Sequence, residues 1–264
     1  MISSFMGLFG QEHHEHFDQF GYLRLGKLLS VDELHDLCDR VNDLMMGEVV
    51  YEDMKFQLDG EAAGYSSLEP RTPEPTEKSL NYRRIDGLHN DPDFLLFIQH
   101  PVFRQITRRY VAERVSIFRS MIMNKPAGLG TELPWHQDIG EGWGLDGNPT
   151  VTVWTALDTA TIDNGCMRIV PGSHKLGILN KAHYTPDEDI ETHIKSSEIA
   201  HLTAEAGESI LIHNWLLHRS GINNTTGPRR ALSIAYMDAD TVTVEKGESF
   251  PVIFGPDALK AGIA

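Results

Sequence analysis

The chain has 264 residues, 41% of them hydrophobic and 23% charged, the composition of a globular protein with enough apolar side chain to bury a core. A formal net charge of −15 excludes nucleic acid or an anionic membrane as the main partner, while leaving room for a local basic pocket that takes a small anion. Cys38 and Cys166 are its two cysteines, in no metal-like spacing, which excludes a disulfide framework and fits a reducing compartment.

The first residues, "MISSFMGLFG", carry no basic segment and run into the acidic, His-rich "QEHHEHF". No later apolar run approaches a membrane span, so a cytoplasmic protein is expected. Residues 11–47 read as helical. Ser30 with Glu33 forms a capping-box signal, and apolar residues recur at Leu34, Leu37, Val41 and Leu44. His13, His14 and His16 read as a solvated helix face. Residues 59–80 hold three prolines, two glycines and no period, the texture of a long loop of the kind that serves as lid or binding segment. "NYRRIDG" (81–87) follows, with Arg83 a weak candidate for an anionic substrate group. Residues 91–111 read as two short helices broken at Pro101.

Beyond residue 114 the texture changes. "RVSIFRSMIMN", "TVTVWTALD", "CMRIVPG", "ESILIHNWLLHRSGIN" and "RRALSIAYMDAD" are β-branched or aromatic runs separated by Gly, Pro and Asn. That is the punctuation of an antiparallel all-β barrel or sandwich. "NNTTGP" (223–228) is a turn by its chemistry. The expected organisation is one domain over 1–264: a helical part to about 115, packed on a β core from about 116 to 245.

"PWHQDIG" (134–140) carries the first chemical signal. On an extended strand His136 and Asp138 share a face and converge on one point. His218, in "WLLHRSGIN" at the end of an apolar strand, is the best third ligand. Two imidazoles and a carboxylate form a facial triad with three open positions, suited to non-haem Fe(II) oxygenases; zinc is the chemical competitor. Arg229 follows eleven residues on, at the start of the next strand and across the expected hairpin. A guanidinium there can grip a carboxylate bidentately. Ser220, two residues after His218, can donate a further hydrogen bond.

The set "WHQD", "NGCMRIVPGSH" (164–174) and "HRSGIN…PRRALSIAYM" (218–237) resembles the phytanoyl-CoA dioxygenase family of Fe(II)/2-oxoglutarate oxygenases, over about residues 118–240. The resemblance implies a double-stranded β-helix (jelly roll, cupin-like), with the N-terminal helices packed on the barrel. It implies Fe(II) held by His136, Asp138 and His218, and the 2-oxoglutarate carboxylate held by Arg229. Ser220, Trp154 and Thr155 follow as weaker cosubstrate contacts. The implied reaction consumes dioxygen and 2-oxoglutarate, releases succinate and carbon dioxide, oxidises a C–H bond of a small molecule, and takes ascorbate as reductant in vitro. Gln137 at the barrel mouth and Trp143 in "GEGWGLDG" are the remaining weak substrate candidates.

Bland readings apply to the neighbours. His213, five before His218, points to the opposite face; His174 shapes a loop; Arg230 turns outward as a surface charge. Hydroxylation is the expected outcome. Desaturation, halogenation on the same scaffold, or a metal-binding barrel without turnover are the alternatives, and a halogenase would lack the carboxylate that Asp138 supplies. The prime substrate and the oligomeric state are open at this level.

Overall fold

The computed structural model describes residues 10–59, 68–179 and 198–261. Two antiparallel sheets face each other. The strands of the larger are β1 (Tyr22–Lys27), β2 (Lys55–Leu58), β3 (Tyr82–Asp86), β4 (Val115–Lys125), β6 (Val151–Ala156), β9 (Glu208–His213), β11 (Arg229–Asp238) and β12 (Val252–Phe254). Its order is β1-β9-β6-β11-β4-β3-β2, with β12 also on β4. The smaller is β5-β10-β7-β8, from β5 (Leu133–His136), β7 (Met167–Ile169), β8 (Ala200–Leu202) and β10 (His218–Ser220). This is the expected jelly-roll core.

Strand alternation sorts the two faces of the larger sheet. Val151, Val153, Leu211, Leu232, Ile234 and Tyr236 join one core with the helices α1 (Gln11–Phe20), α2 (Val31–Met45), α3 (Pro92–Ile98) and α4 (Pro101–Tyr110). Their neighbours Trp154, Ala156, Ile210, Ile212 and Ala231 turn the other way and meet Met167, Ile169 and Leu202 of the smaller sheet. The functional cavity opens among the inward residues of that second layer.

Helix signals hold where capping residues give them. Ser30 Oγ accepts from Glu33 N and the Glu33 carboxylate from Ser30 N, closing the capping box of α2. Pro92 and Pro101 start α3 and α4 at the position where a missing N–H costs nothing. One expectation fails: 11–47 is not continuously helical. Gly21 ends α1 in the left-handed region (φ 76°), and "YLRLGK" pairs as β1 along β9. Leu23 and Leu25 are buried and Arg24 is exposed, a period of two inside the apparent helix.

Part of the expected 59–80 loop, 60–67, lies outside the described residues. The remainder carries no helix and is tied down: Thr72 exchanges two 2.8 Å backbone bonds with Phe56, and Lys78 pairs with Glu48. No helix among the described residues is long and apolar enough to cross a membrane.

Candidate active site

β5 ends at His136, β10 begins at His218, and the register places the two residues directly opposite each other. Their ring centroids are 4.0 Å apart. The expected apolar strand leading into His218 is in fact two strands. β9 stops at His213, the chain turns through 214–217, and β10 continues in the other sheet. Asp138 likewise lies past the end of β5, where its N–H donates to the Asn214 carbonyl at 2.7 Å. That bond draws the 136–138 segment onto the same turn that delivers His218. One ligand atom from each of His136, Asp138 and His218 falls within 4.8 Å of the others, the single such group among the described residues.

Backbone partners set how the imidazoles present themselves. His136 Nδ1 lies 2.8 Å from the Pro134 carbonyl, and His218 Nδ1 2.9 Å from that of Leu216. A carbonyl only accepts, so both Nδ1 atoms carry the proton and both Nε2 atoms carry the lone pair. Asp138 Oδ2 accepts from Arg119 Nη2 at 3.0 Å. The Arg119 guanidinium in turn sits 4.5 Å from the Trp143 ring centroid, and Trp143 stacks on Phe118 at 4.7 Å. The Arg119 bond orients the carboxylate beside the two imidazoles.

The sequence reading missed Arg119. Its signal was the alternation in "RSMIMNK": Arg119, Met121, Met123 and Lys125 share one face of β4, and the first three line the cavity.

Arg229 begins β11 in the larger sheet, paired with Lys125 of β4; it is not a hairpin partner of β10. It is 3% exposed, and burial pushes its pKa down to about 10, so it is a cation at neutral pH. Nη2 donates to the Gly165 carbonyl at 3.1 Å, and no carboxylate is among its partners in the described residues. The "NGC" turn explains that carbonyl. Asn164 bonds Thr159 O and Thr161 N, and Gly165 takes φ 79°, where an added Cβ would come within 2.6 Å of Gly221 O.

Arg230 shows the ordinary solution. It forks onto Asp158 at 2.9 and 2.8 Å and reaches Asn42 on α2, tying sheet to helix instead of standing outward as expected. Among the described residues, by contrast, buried Arg229 Nε meets no acceptor and buried Ser220 Oγ meets no partner. Both residues line the cavity that holds His136, Asp138 and His218. Buried donors left unbonded are costly. A ligand carboxylate satisfies them, and the triad's hard and borderline donors suit iron. The residues therefore fit both implied groups.

The other candidates divide. Trp154 lines the cavity with Arg229 5.9 Å from its ring. Thr155, one residue on, is not among the lining residues; it faces the helical side, where its hydroxyl bonds Ser209 at 2.8 Å, and Thr152 takes the inward position. Arg83 lines the cavity and donates to Gln57 at 2.7 Å. Gln137 is 1% exposed and clips loops together through Gly177 O, Trp215 O and Leu179 N. Trp143 is reached through Arg119, as described. His174 and His213 stand apart from the triad, against α1.

Comparison with known proteins accords with this geometry. The sequence profile of the family described as phytanoyl-CoA dioxygenase (PhyH) matches residues 17–231. The peroxisomal phytanoyl-CoA dioxygenase of Bos taurus is 27% identical over 63% of this chain and 52% of its own length, so the match spans about half of that relative. EctD from S. alaskensis, solved with 2-oxoglutarate and 5-hydroxyectoine, superposes with a TM-score of 0.67 at 22% identity, covering 96% of this chain and 86% of that one. The epimerase SnoN, solved with Fe3+, alpha ketoglutarate and nogalamycin RO, gives 0.65 at 19% identity, covering 88% and 85%. The chain belongs to the phytanoyl-CoA dioxygenase family of non-haem iron, 2-oxoglutarate-dependent oxygenases.

Proposed function

We propose that this protein hydroxylates a C–H bond of a small molecule, with Fe(II) held by His136, Asp138 and His218 and 2-oxoglutarate anchored by Arg229. The observation that carries the reading is the pair of buried donors, Arg229 Nε and Ser220 Oγ, that find no partner among the described residues and line the same cavity as the triad. When bound, iron with 2-oxoglutarate supplies dioxygen activation coupled to loss of carbon dioxide. The rest is done by the chain. His136 and His218 hold their Nδ1 protons on backbone carbonyls and turn Nε2 inward. Arg119 fixes the orientation of Asp138. Arg229 and Ser220 align the cosubstrate's distal carboxylate, with Trp154 as a wall, while Met121, Met123, Met167 and Ile212 keep water out. Asp138 fills the position a halide would need, which favours hydroxylation over halogenation. Two free cysteines favour a reducing compartment, and we assign the protein to the cytoplasm.

The test is turnover without prime substrate. Protein with Fe(II), ascorbate and 2-oxoglutarate converts part of the 2-oxoglutarate to succinate. Arg229→Ala removes a buried charge-assisted contact worth about 2–5 kcal/mol. It raises the 2-oxoglutarate requirement by at least about thirty-fold while bound iron is retained. A variant that saturates at the wild-type concentration sinks the assignment of Arg229.

A further inference from the structure

On the inward face of β9 the apolar residues Ile210 and Ile212 alternate, and Asn214 stands next in that spacing, one residue past the strand's end. It is 1% exposed, and burying an amide is costly unless its groups are bonded. The backbone of Asn214 is used twice: its N–H donates to the Thr150 carbonyl at 3.0 Å, and its carbonyl accepts from Asp138 N–H at 2.7 Å. Its side chain is used once. Oδ1 accepts from Thr152 Oγ1 at 2.9 Å, while Nδ2 meets no acceptor among the described residues. Thr152 is opposite Ile212 in the β6–β9 register, which makes Asn214 its diagonal neighbour, and it lines the cavity of the triad. One hydroxyl thus fixes the rotation of a buried amide. The position matters because the three candidate ligands do not share a sheet. His136 and His218 belong to the smaller sheet, whereas Asp138 is tied to the larger one, by Arg119 on β4 at its carboxylate and by Asn214 at its N–H.

We propose that Thr152 and Asn214 act together as positioning residues for the metal centre: the Thr152 hydroxyl, through the Asn214 amide, sets where Asp138 stands relative to the two imidazoles. This rests on the metal assignment given under Proposed function. Without the hydroxyl, neither end of the amide has a partner among the described residues. The amide then turns in search of one and shifts the 214–217 turn with it. That turn holds Asp138 at its first residue, and His218 follows its last. A displacement there changes the spacing of the carboxylate and an imidazole at once. The competing role is plain packing, in which the bond does no more than fasten the end of β9 to β6.

Three substitutions separate the roles. Thr152→Val keeps the shape and removes the hydroxyl, Thr152→Ser keeps the hydroxyl, and Asn214→Ala removes the amide from the other side. Each full-length, metal-free protein is titrated calorimetrically with Mn(II), a redox-quiet ion. The Mn(II)-saturated protein is then titrated with 2-oxoglutarate and with 2-oxovalerate, which lacks the distal carboxylate. The proposal expects Thr152→Val and Asn214→Ala each to lose about tenfold or more in Mn(II) affinity, the scale on which partners of metal ligands act. Thr152→Ser restores the wild-type affinity. Thr152→Val combined with Asn214→Ala loses no more than the worse single variant, since the two side chains work through one bond. The preference for 2-oxoglutarate over 2-oxovalerate persists throughout, because Arg229 and Ser220 keep their places. Wild-type Mn(II) affinity in Thr152→Val overturns the proposal, and a lowered Tm beside it marks plain packing. Losses that add in the combined variant overturn it as well. If Thr152→Val does not fold, Asn214→Ala decides alone by the same criterion. A His136→Ala protein that binds Mn(II) as tightly as the wild type defeats the metal assignment itself, a result distinct from any of these.

Discussion

His136 and His218 face each other with 4.0 Å between ring centroids, and His174 and His213 do so at 4.9 Å where β9 meets α1. Each pair is partly buried and comes from distant parts of the chain. The backbone around them differs in sign. In the first pair, Nδ1 of each ring meets a carbonyl two residues earlier, which leaves Nε2 with its lone pair. In the second, His213 Nδ1 accepts from the Trp215 N–H two residues later, so its proton sits on Nε2; His174 Nε2 meets the Asp18 carbonyl. The first pair has Asp138 within ligand distance; the group around the second includes no such carboxylate among the described residues. Burial, then each other's proximity, holds His213 down at about 4, and burial lowers His174 as well. Two neutral rings wedged against Phe17 and Gly21 are packing. Proximity of histidines does not make an ion site; the local donors and acceptors that fix each tautomer do.

The comparison breaks most visibly at the ligands. His136→Ala or His218→Ala should abolish stoichiometric iron binding and lower uncoupled succinate release by about two orders of magnitude or more, since even partners of ligands are worth 10–100-fold. His213→Gln and His174→Ala should leave iron content and turnover near wild type. Metal analysis and succinate assays on all four variants check this. Iron lost equally from the second pair would mean that the two pairs are not distinct in kind.

Arg119 sharpens the same contrast by a smaller amount. It is a positioning residue: it touches Asp138, and through Asp138 the ion. Arg119→Met frees the carboxylate to rotate and removes the cation from the Trp143 ring. Metal affinity should fall about 10–100-fold, with the Tm nearly unchanged and Arg119→Lys intermediate. An unchanged affinity in Arg119→Met would show that Asp138 is oriented by the 136–138 turn alone.

What could be read from the chain follows the range of the signal. His136 and Asp138 lie two residues apart, and His218, Ser220 and Arg229 lie within a dozen residues of one another in one later segment, so local spacing sufficed. The capping box at Ser30 and Glu33 and the prolines opening α3 and α4 were legible for the same reason. Arg119 was legible only as one member of an alternating face of β4; that it meets Asp138 depends on how β4 lies against the 136–138 segment, which local spacing does not give. Thr155 was decidable: next to Trp154 on a strand, it had to face the other way. β1 was hidden because six residues of period two sit between two amphipathic helices and were absorbed into them. Arg230 was expected at the surface because alternation says which face a residue takes, not whether helices cover that face.

The second histidine pair carries the smallest effect, in stability and not in activity. The folded protein holds His213 near 4 where an unconstrained histidine has 6.5, so the unfolded chain binds more protons between those values. The contribution is complete above about pH 6.5 and is lost as the pH falls through about 4. Each unit of that gap is 1.36 kcal/mol, so the wild type should lose about 2 kcal/mol from this residue between pH 7 and 5, an upper bound for a ring that retains some exposure. His174, shifted the same way, adds to the slope. His213→Gln cannot titrate there and still offers an oxygen to the Trp215 N–H. Urea unfolding at pH 7, 6 and 5 should therefore show the wild type losing ground to the variant step by step. Carboxylates common to both proteins cancel in that difference. Parallel curves would mean that His213 is solvated enough to protonate in place, and that the second pair is held by something other than two neutral rings.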